Sequence, residues 1–208
     1  SSILPAFNEE TNITTAIASI IIIFKKLKID QWELIVVNDG SSDKTKELVE
    51  KAILQESRVK IINHSKNKGY GETLYSGLDK AQYDWIFITD SDLQFFIEDL
   101  ILLVEKSKNF NFVQGIREKR NDPMFRILLG KIYRKIVHQL FKIPVLDPEC
   151  SFRLFQRFLI EDSNIVCKGP MVPVELILNA KNKKATFTDV PVRHRSRKGG
   201  EAKALSFK

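Results

Sequence analysis

The chain is poor in cysteine, methionine, tryptophan and histidine, with 2, 2, 2 and 3 of them in 208 residues. Cys150 and Cys167 stand far apart, outside any CxxC or Cys/His spacing. That argues against a disulfide framework and a zinc site, and it fits a reducing, cytosolic-facing compartment. His64, His138 and His194 likewise show no metal-ligand spacing. Long apolar runs are missing too. The longest, AIASIIIIF from Ala16 to Phe24, falls well short of the roughly 20 residues a bilayer-spanning helix requires and runs into Lys25 and Lys26, so a buried helix is expected. There is no signal peptide, internal repeat or low-complexity segment. The chain opens close to a strand end without a methionine and stops within a basic segment. The expectation is a soluble catalytic region cut from a longer, membrane-associated protein.

What is present is a 43% hydrophobic and 28% charged composition, long enough to bury one sizeable core, with one domain as the default. A net charge of +7 favours an anionic partner: a nucleotide, a phosphorylated lipid, an acidic membrane surface or nucleic acid. Nucleic acid is the weakest of these, because the basic residues lack the interleaved aromatics of a stacking platform.

Short apolar runs alternate with helical patterns. SILPAF precedes a helix over about 11–27, WELIVVND a helix over 42–57, and VKIINH a helix over 71–81. DWIFITD precedes one over 96–107, which leads to FVQGIR. Such alternation predicts an α/β fold, a mostly parallel central sheet with helices on both faces and ligands at the carboxyl ends of the strands. After Arg117 the pattern changes to a basic amphipathic helix, with Phe125, Leu128, Leu129, Ile132, Ile136, Val137 and Leu140 at helical spacing among Arg126, Lys131, Arg134 and Lys135. PVLDPECSFRLFQR and ATFTDVPVRHRSRKGGEAK then return to short strands and loops.

In VVNDGSSDKT, Asp39 closes an apolar strand, while Ser41, Ser42 and Asp43 offer oxygens to cap the next helix. A capped strand-turn-helix and an acceptor for a nucleoside base or ribose fit equally well. In LPAFNEE, Asn8 reads as a helix cap with acids near the positive helix end. Gly69 and Gly71 of NKGYGETL permit close backbone approach to a phosphate, a weak signal. ITDSDLQF is stronger. Asp90 and Asp92 end a deeply apolar run, where two carboxylates repel and lose water unless a cation compensates, and hard divalent cations take oxygen ligands while leaving positions for phosphates. As a bare pattern the same spacing is usually a solvated turn; the apolar strand before it and Asp39 upstream favour the metal.

The ordered set LPAFNEE, VVNDGSSDKT, NKGYGETL, ITDSDLQF, DPECSFRLF and RKGGEAK resembles the family-two inverting glycosyltransferases of the Rossmann-like GT-A fold, most closely their dolichyl- or polyprenyl-phosphate branch. The resemblance implies one catalytic domain over 1–208, with a nucleotide-binding half of about 1–116 and an acceptor-binding half of about 117–208. It implies nucleotide contacts at Pro5, Ala6, Phe7, Asn8, Glu9, Asp39 and Gly69, and Mg2+ or Mn2+ at Asp90 and Asp92. Gln94 takes a sugar or acceptor position. Arg117, Arg126 and Arg153 match acceptor-phosphate residues, and Arg197 and Lys203 a basic loop over the diphosphate. Gly130, Ser151 and Ala202 depart from the residues usual there.

The expected reaction is transfer of a hexose from a UDP- or GDP-sugar to a polyprenyl phosphate, at the cytoplasmic face of a membrane. The chain would be peripheral there or tethered by segments outside it. Transfer to a sugar hydroxyl is the alternative, with Asp147 or Glu149 as base, and a non-catalytic nucleotide-binding domain is a rival. The basic helix reads in three ways: as a solvated face, as a lipid-phosphate site, or as a surface docked on anionic lipid.

Overall fold

The computed structural model describes residues 1–118, 124–161, 167, 169 and 171–196. Arg197 and Lys203 lie outside the described residues, as does the side chain of Arg126. Seven strands form one sheet in the order β3-β2-β1-β4-β6-β5-β7. They are β1 (Ser2–Ala6), β2 (Leu34–Asn38), β3 (Val59–Asn63), β4 (Trp85–Ile88), β5 (Phe112–Arg117), β6 (Arg153–Gln156) and β7 (Phe187–Val192). The helices are α1 (Ile13–Lys26), α2 (Thr45–Gln55), α3 (Tyr70–Lys80), α4 (Leu100–Lys106), α5 (Met124–Phe141) and α6 (Val172–Asn182). β1, β2, β3 and β4 pair in parallel, as do β5 and β7; β6 runs antiparallel to both of its neighbours.

Alternation along each strand divides the core in two. Leu4, Leu34, Val36, Phe87 and Val113 face a cluster with Ile17 and Ile20 of α1, Val49 of α2 and Leu103 of α4. Their neighbours Ile3, Ile35, Val37, Ile86, Ile88 and Phe112 face Leu74 and Leu78 of α3, Val137 of α5 and Ile177 of α6. Both faces are therefore covered, as expected of central strands with near-continuous apolar runs such as Ile3-Leu4, 34–37 and 86–88. Gly77 marks the tightest packing of α3 on β1, since a Cβ there would stand 2.6 Å from Ile3 Cγ2. Alanine there would press on the Ile3 and Val37 side chains, and one of these groups would have to shift.

The predicted helices are present, the first two with shorter ends and the third shifted by one residue, and the one expected over 96–107 begins as a 3-10 turn at Ile97–Asp99 before α4. Helix α6 goes beyond the expectations above, although its early proline is a readable helix start. β6 comes from the presumed acceptor half but inserts between β4 and β5, so the sheet itself carries no boundary near residue 117. Because β6 is antiparallel, its beginning meets the carboxyl ends of its neighbours: Arg153 pairs with Ile88 on one side and Gln114 on the other. One rim thus collects the ends of β1, β2, β4, β5 and β7 and the start of β6.

Candidate active site

The first two motifs are sewn to each other across this rim. Asn8 adopts a left-handed φ of 54°. Its Oδ1 accepts Ser42 N–H at 2.8 Å, and its own N–H donates to Ser41 Oγ at 2.9 Å. Glu9 N–H donates to Thr45 Oγ1 at 2.8 Å, Glu10 N–H to Asp43 Oδ2 at 3.0 Å, and Lys44 N–H returns to Glu10 Oε2 at 3.0 Å. Asn8 is therefore no cap for α1, whose N-cap is Asn12, without a side-chain capping bond and with its amide turned to Glu9 Oε2 at 2.8 Å. The cross-loop partners prevailed over the local one.

Asp39 is almost sealed, with 4% of its side chain exposed. Oδ1 accepts Lys68 N–H at 2.9 Å and lies 2.7 Å from His64 Nδ1, while Oδ2 accepts Gly69 N–H at 2.9 Å. His64 Nε2 reaches Ser76 Oγ on α3 at 2.9 Å. Gly40, at φ 68°, lets the 66–67 backbone close over this carboxylate; a Cβ there would stand 2.4 Å from the Lys66 carbonyl carbon. Of the two glycines whose small size permits backbone approach to a phosphate, Gly69 has its amide turned to Asp39. Sequence reasoning passed over His64 because its partners lie 25 residues back and 12 ahead, off any ligand spacing.

Asp90 and Asp92 follow β4, both half-buried, with Ser91 buried between them and donating to Pro5 O at 2.7 Å. Asp90 Oδ2 accepts a 2.5 Å bond from Ser151 Oγ, and Tyr70 Oη stands 3.5 Å from its Oδ1. Loss of water pushes the Asp90 carboxyl up, against the Ser151 hydroxyl and the charges of Arg117 and Arg153. Asp92 Oδ1 accepts Gln94 N–H at 3.0 Å, and Gln94 Nε2 donates to Arg195 O at 3.2 Å. Among the described residues no group of three or more His, Cys, Asp and Glu gathers to hold a metal. An under-compensated Asp90 beside an accessible Asp92 nonetheless suits a hard cation that takes its remaining oxygens from a substrate.

The acceptor residues are arranged differently from expectation. Arg117 grips Asp147 with both arms, Nε–Oδ2 at 2.8 Å and Nη2–Oδ1 at 2.9 Å, and Glu149 lies 3.7 Å from the same guanidinium. Burial works against the Arg117 charge, but the Asp147 bond outweighs it and raises the pKa. Arg153 is 1% exposed. It donates to the carbonyls of Pro148 at 3.0 Å, Cys150 at 2.7 Å and Pro173 at 3.2 Å. Its place is that of a buried brace beneath the 147–151 loop rather than an open phosphate ligand, because its donors are already turned to backbone. Gln114 supports the same loop through the carbonyls of Asp147 at 3.1 Å and Cys150 at 2.8 Å. Cys150 is inert, its thiol pushed up to about 12 by burial and then by the Asp147 charge.

A model of the family described as Glycosyl transferase family 2 matches residues 1–163. The undecaprenyl-phosphate 4-deoxy-4-formamido-L-arabinose transferases of Salmonella choleraesuis (strain SC-B67) and Salmonella newport (strain SL254) are each 29% identical over 206 residues. Those residues are 98% of this chain but only 62% of each relative. Glucosyl-3-phosphoglycerate synthase from Mycobacterium tuberculosis, in complex with phosphoglyceric acid, superposes over 96% of this chain and 72% of its own with a TM-score of 0.75 at 21% identity. Its complex with Mn2+, uridine diphosphate and glucosyl-3-phosphoglycerate superposes over the same shares with a TM-score of 0.72. With 163 of 208 residues under the family model, the chain belongs to glycosyl transferase family 2, and it shares the GT-A fold of these solved structures.

Proposed function

We propose that this glycosyltransferase moves a hexose from a UDP- or GDP-sugar to a polyprenyl phosphate, acting as one catalytic domain at the cytosolic face of a membrane. The observation that carries the acceptor class is the Arg117–Asp147 fork. A hydroxyl acceptor must lose its proton as it attacks, which requires a free base. Asp147 is 1% exposed and engaged by a guanidinium on both oxygens, and Glu149 leans on the same arginine. A phosphate monoester, largely ionised at neutral pH, has no need of a protein base. The name of the undecaprenyl-phosphate relatives supports the same acceptor class.

In this reading Pro5–Glu9, Asp39 and the 68–69 turn shape the nucleotide end, and Asp90 and Asp92 hold Mg2+ or Mn2+. Bound there, the cation supplies Lewis-acid neutralisation of the leaving diphosphate. The acceptor phosphate oxygen attacks the anomeric carbon as its bond to the diphosphate breaks, and the nucleotide leaves with the electron pair. Gln94 lines the sugar side. Arg126 offers the acceptor phosphate a planar fork for two oxygens, Arg117 adds its charge there while its own fork stays on Asp147, and Arg153 holds the 147–151 loop. Arg197 and Lys203 close on the diphosphate.

Membrane contact falls to α5. Ile132, Ile136 and Leu140 repeat every fourth residue and are 49%, 49% and 70% exposed, with Leu146 at 64% in the loop beyond. Lys135 and Lys142 flank this stripe. No helix among the described residues is long and apolar enough to cross a membrane, and a stripe with neighbouring lysines suits the interface of an anionic bilayer.

The test is a screen of UDP- and GDP-sugars against polyprenyl phosphate with Mg2+ or Mn2+, reading nucleotide release and glycolipid, beside sedimentation with anionic and neutral vesicles. Turnover only with free sugars as acceptors would replace the lipid phosphate by a hydroxyl. Equal partition to both vesicles, or to neither, would remove the docking face.

A further inference from the structure

The turn that carries Asp92 has an unusual backbone. Leu93 sits at φ 60°, a left-handed conformation in which the Cβ of an ordinary residue crowds its own backbone. Three contacts hold it there. The Leu93 side chain is buried in the core, Asp92 Oδ1 accepts the Gln94 N–H at 3.0 Å, and the Leu93 carbonyl accepts Arg195 Nε–H at 2.6 Å. The last two act on a single peptide plane. That plane is rigid, so Arg195 grips it by its oxygen while its N–H holds the carboxylate of Asp92.

Arg195 is itself fixed on several sides. Its N–H donates to Gln94 O at 2.9 Å, its carbonyl accepts Gln94 Nε2–H at 3.2 Å, and its guanidinium lies 4.7 Å from the Phe96 ring centre. A bridge between Phe95 and His194 continues the pairing. Arg193 shares the same ring at 4.6 Å but turns its guanidinium and its N–H to Asp99, with Nη2–Oδ1 at 2.6 Å and N–Oδ2 at 2.7 Å. Two arginines thus flank one phenylalanine with different tasks. Arg193 ties the end of β7 to the 3-10 turn before α4, and Arg195 ties it to the acidic turn.

We propose that Arg195 is a positioning residue of the transfer site: by holding the Leu93–Gln94 peptide plane it aims the Asp92 carboxylate at the cation and diphosphate position without touching either. The inference rests on the reading of Asp90 and Asp92 as cation ligands. Without the Arg195 bond, the plane is free to rotate out of its strained setting and Asp92 loses the N–H that orients it. The cost then falls on cation binding more than on the fold, because Leu93 stays anchored in the core.

Wild type, Arg195→Ala, Arg195→Lys and Arg193→Ala test this in a titration of Mn2+ with UDP and with GDP present, followed by the electron paramagnetic resonance of free Mn2+, beside thermal unfolding. Arg195→Ala is expected to weaken Mn2+ uptake about tenfold, the scale of one oriented hydrogen bond to a carbonyl, with a melting temperature near wild type. Arg195→Lys, which retains a donor on a less directional group, should fall between. Arg193→Ala should melt earlier yet bind Mn2+ within about twofold of wild type. Unchanged Mn2+ affinity in Arg195→Ala, or equal losses in the two alanine variants, makes Arg195 a packing residue and overturns the proposal. Should Arg195→Ala fail to fold, the ranking of Arg195→Lys against Arg193→Ala decides in the same way. Wild-type protein that takes up no Mn2+ with either nucleotide overturns the cation reading itself, and this inference with it.

Discussion

Two carboxylates at neighbouring strand ends, Asp39 after β2 and Asp92 after β4, stand in opposite relations to the chain around them. Asp39 is 3% exposed and gathers two backbone amides and a histidine onto its oxygens, so it organises the 64–69 loop. Asp92 is half-buried on a turn that other residues hold in place, through Ser91, Gln94 and Arg195. The first carboxylate makes structure and the second is presented by it. A motif aspartate at the rim of an α/β sheet therefore does not declare its task by position; its hydrogen-bond partners do.

The sharpest way to break that contrast is to neutralise each carboxylate. Asp92→Asn should lower transfer at least about a hundredfold, the scale of removing one group that stabilises developing charge, while the melting temperature holds or rises. Near-normal metal-dependent turnover would dismiss the cation role. Asp39→Asn should act first on stability. An amide facing the Lys68 and Gly69 N–H groups leaves one of them buried against another donor, and about 3 kcal/mol of stability is at stake. Chemical denaturation measures it, and an unchanged midpoint would make Asp39 a presented group like Asp92.

Asp147 lies between these extremes, because it both holds Arg117 and borders the acceptor. Asp147→Asn should slow transfer about tenfold, as for loss of one charge-assisted hydrogen bond, while the basic limb of the pH–rate profile stays and the acidic limb follows the acceptor phosphate. Disappearance of a titrating base together with activity would bring the hydroxyl acceptor back.

The smallest effect concerns Asp189 on β7, which accepts Leu146 N–H from the loop before Asp147. Burial raises its carboxyl to about 6, with the nearby Asp147 charge adding to the shift. The folded state holds this proton more tightly than the unfolded chain. The group's contribution is therefore most favourable below the ordinary carboxylate pKa near 4 and is lost as pH rises through 6. Asp189→Asn should stabilise the protein at pH 8 by on the order of 1 kcal/mol, after discounting for partial exposure, and by nothing below about pH 4. A stability difference independent of pH would move the cause from charge to packing.

Much of this arrangement was legible in the residues. The apolar runs ending in Asp39 and in Asp90–Asp92 placed both acids at one rim, because parallel strands must present their carboxyl ends together. What escaped depended on distant partners. Asn8 reads locally as a cap, but the second motif outcompetes α1 for its oxygen. The resemblance matches Arg153 to an acceptor-phosphate residue, yet the carbonyls of Pro148 and Cys150 nearby and of Pro173 on α6 absorb it. β6 is only RLFQ, four residues whose pairing with β4 lies far along the chain. Arg195 sat in a basic run where nothing singles out one guanidinium.

The antiparallel insertion of β6 also sets a timetable. As the chain emerges from a ribosome, β3, β2, β1 and β4 can assemble from the first 88 residues, but the free edge of β4 must wait for residues 153–156. An unpaired edge of that kind invites association with other chains. Ser151, whose hydroxyl bonds Asp90, arrives with β6, and Arg195 arrives later still. The acidic pair is therefore synthesised early and armed late: about half of the 208 residues here separate Asp92 from Arg195, the last of the groups that aim it.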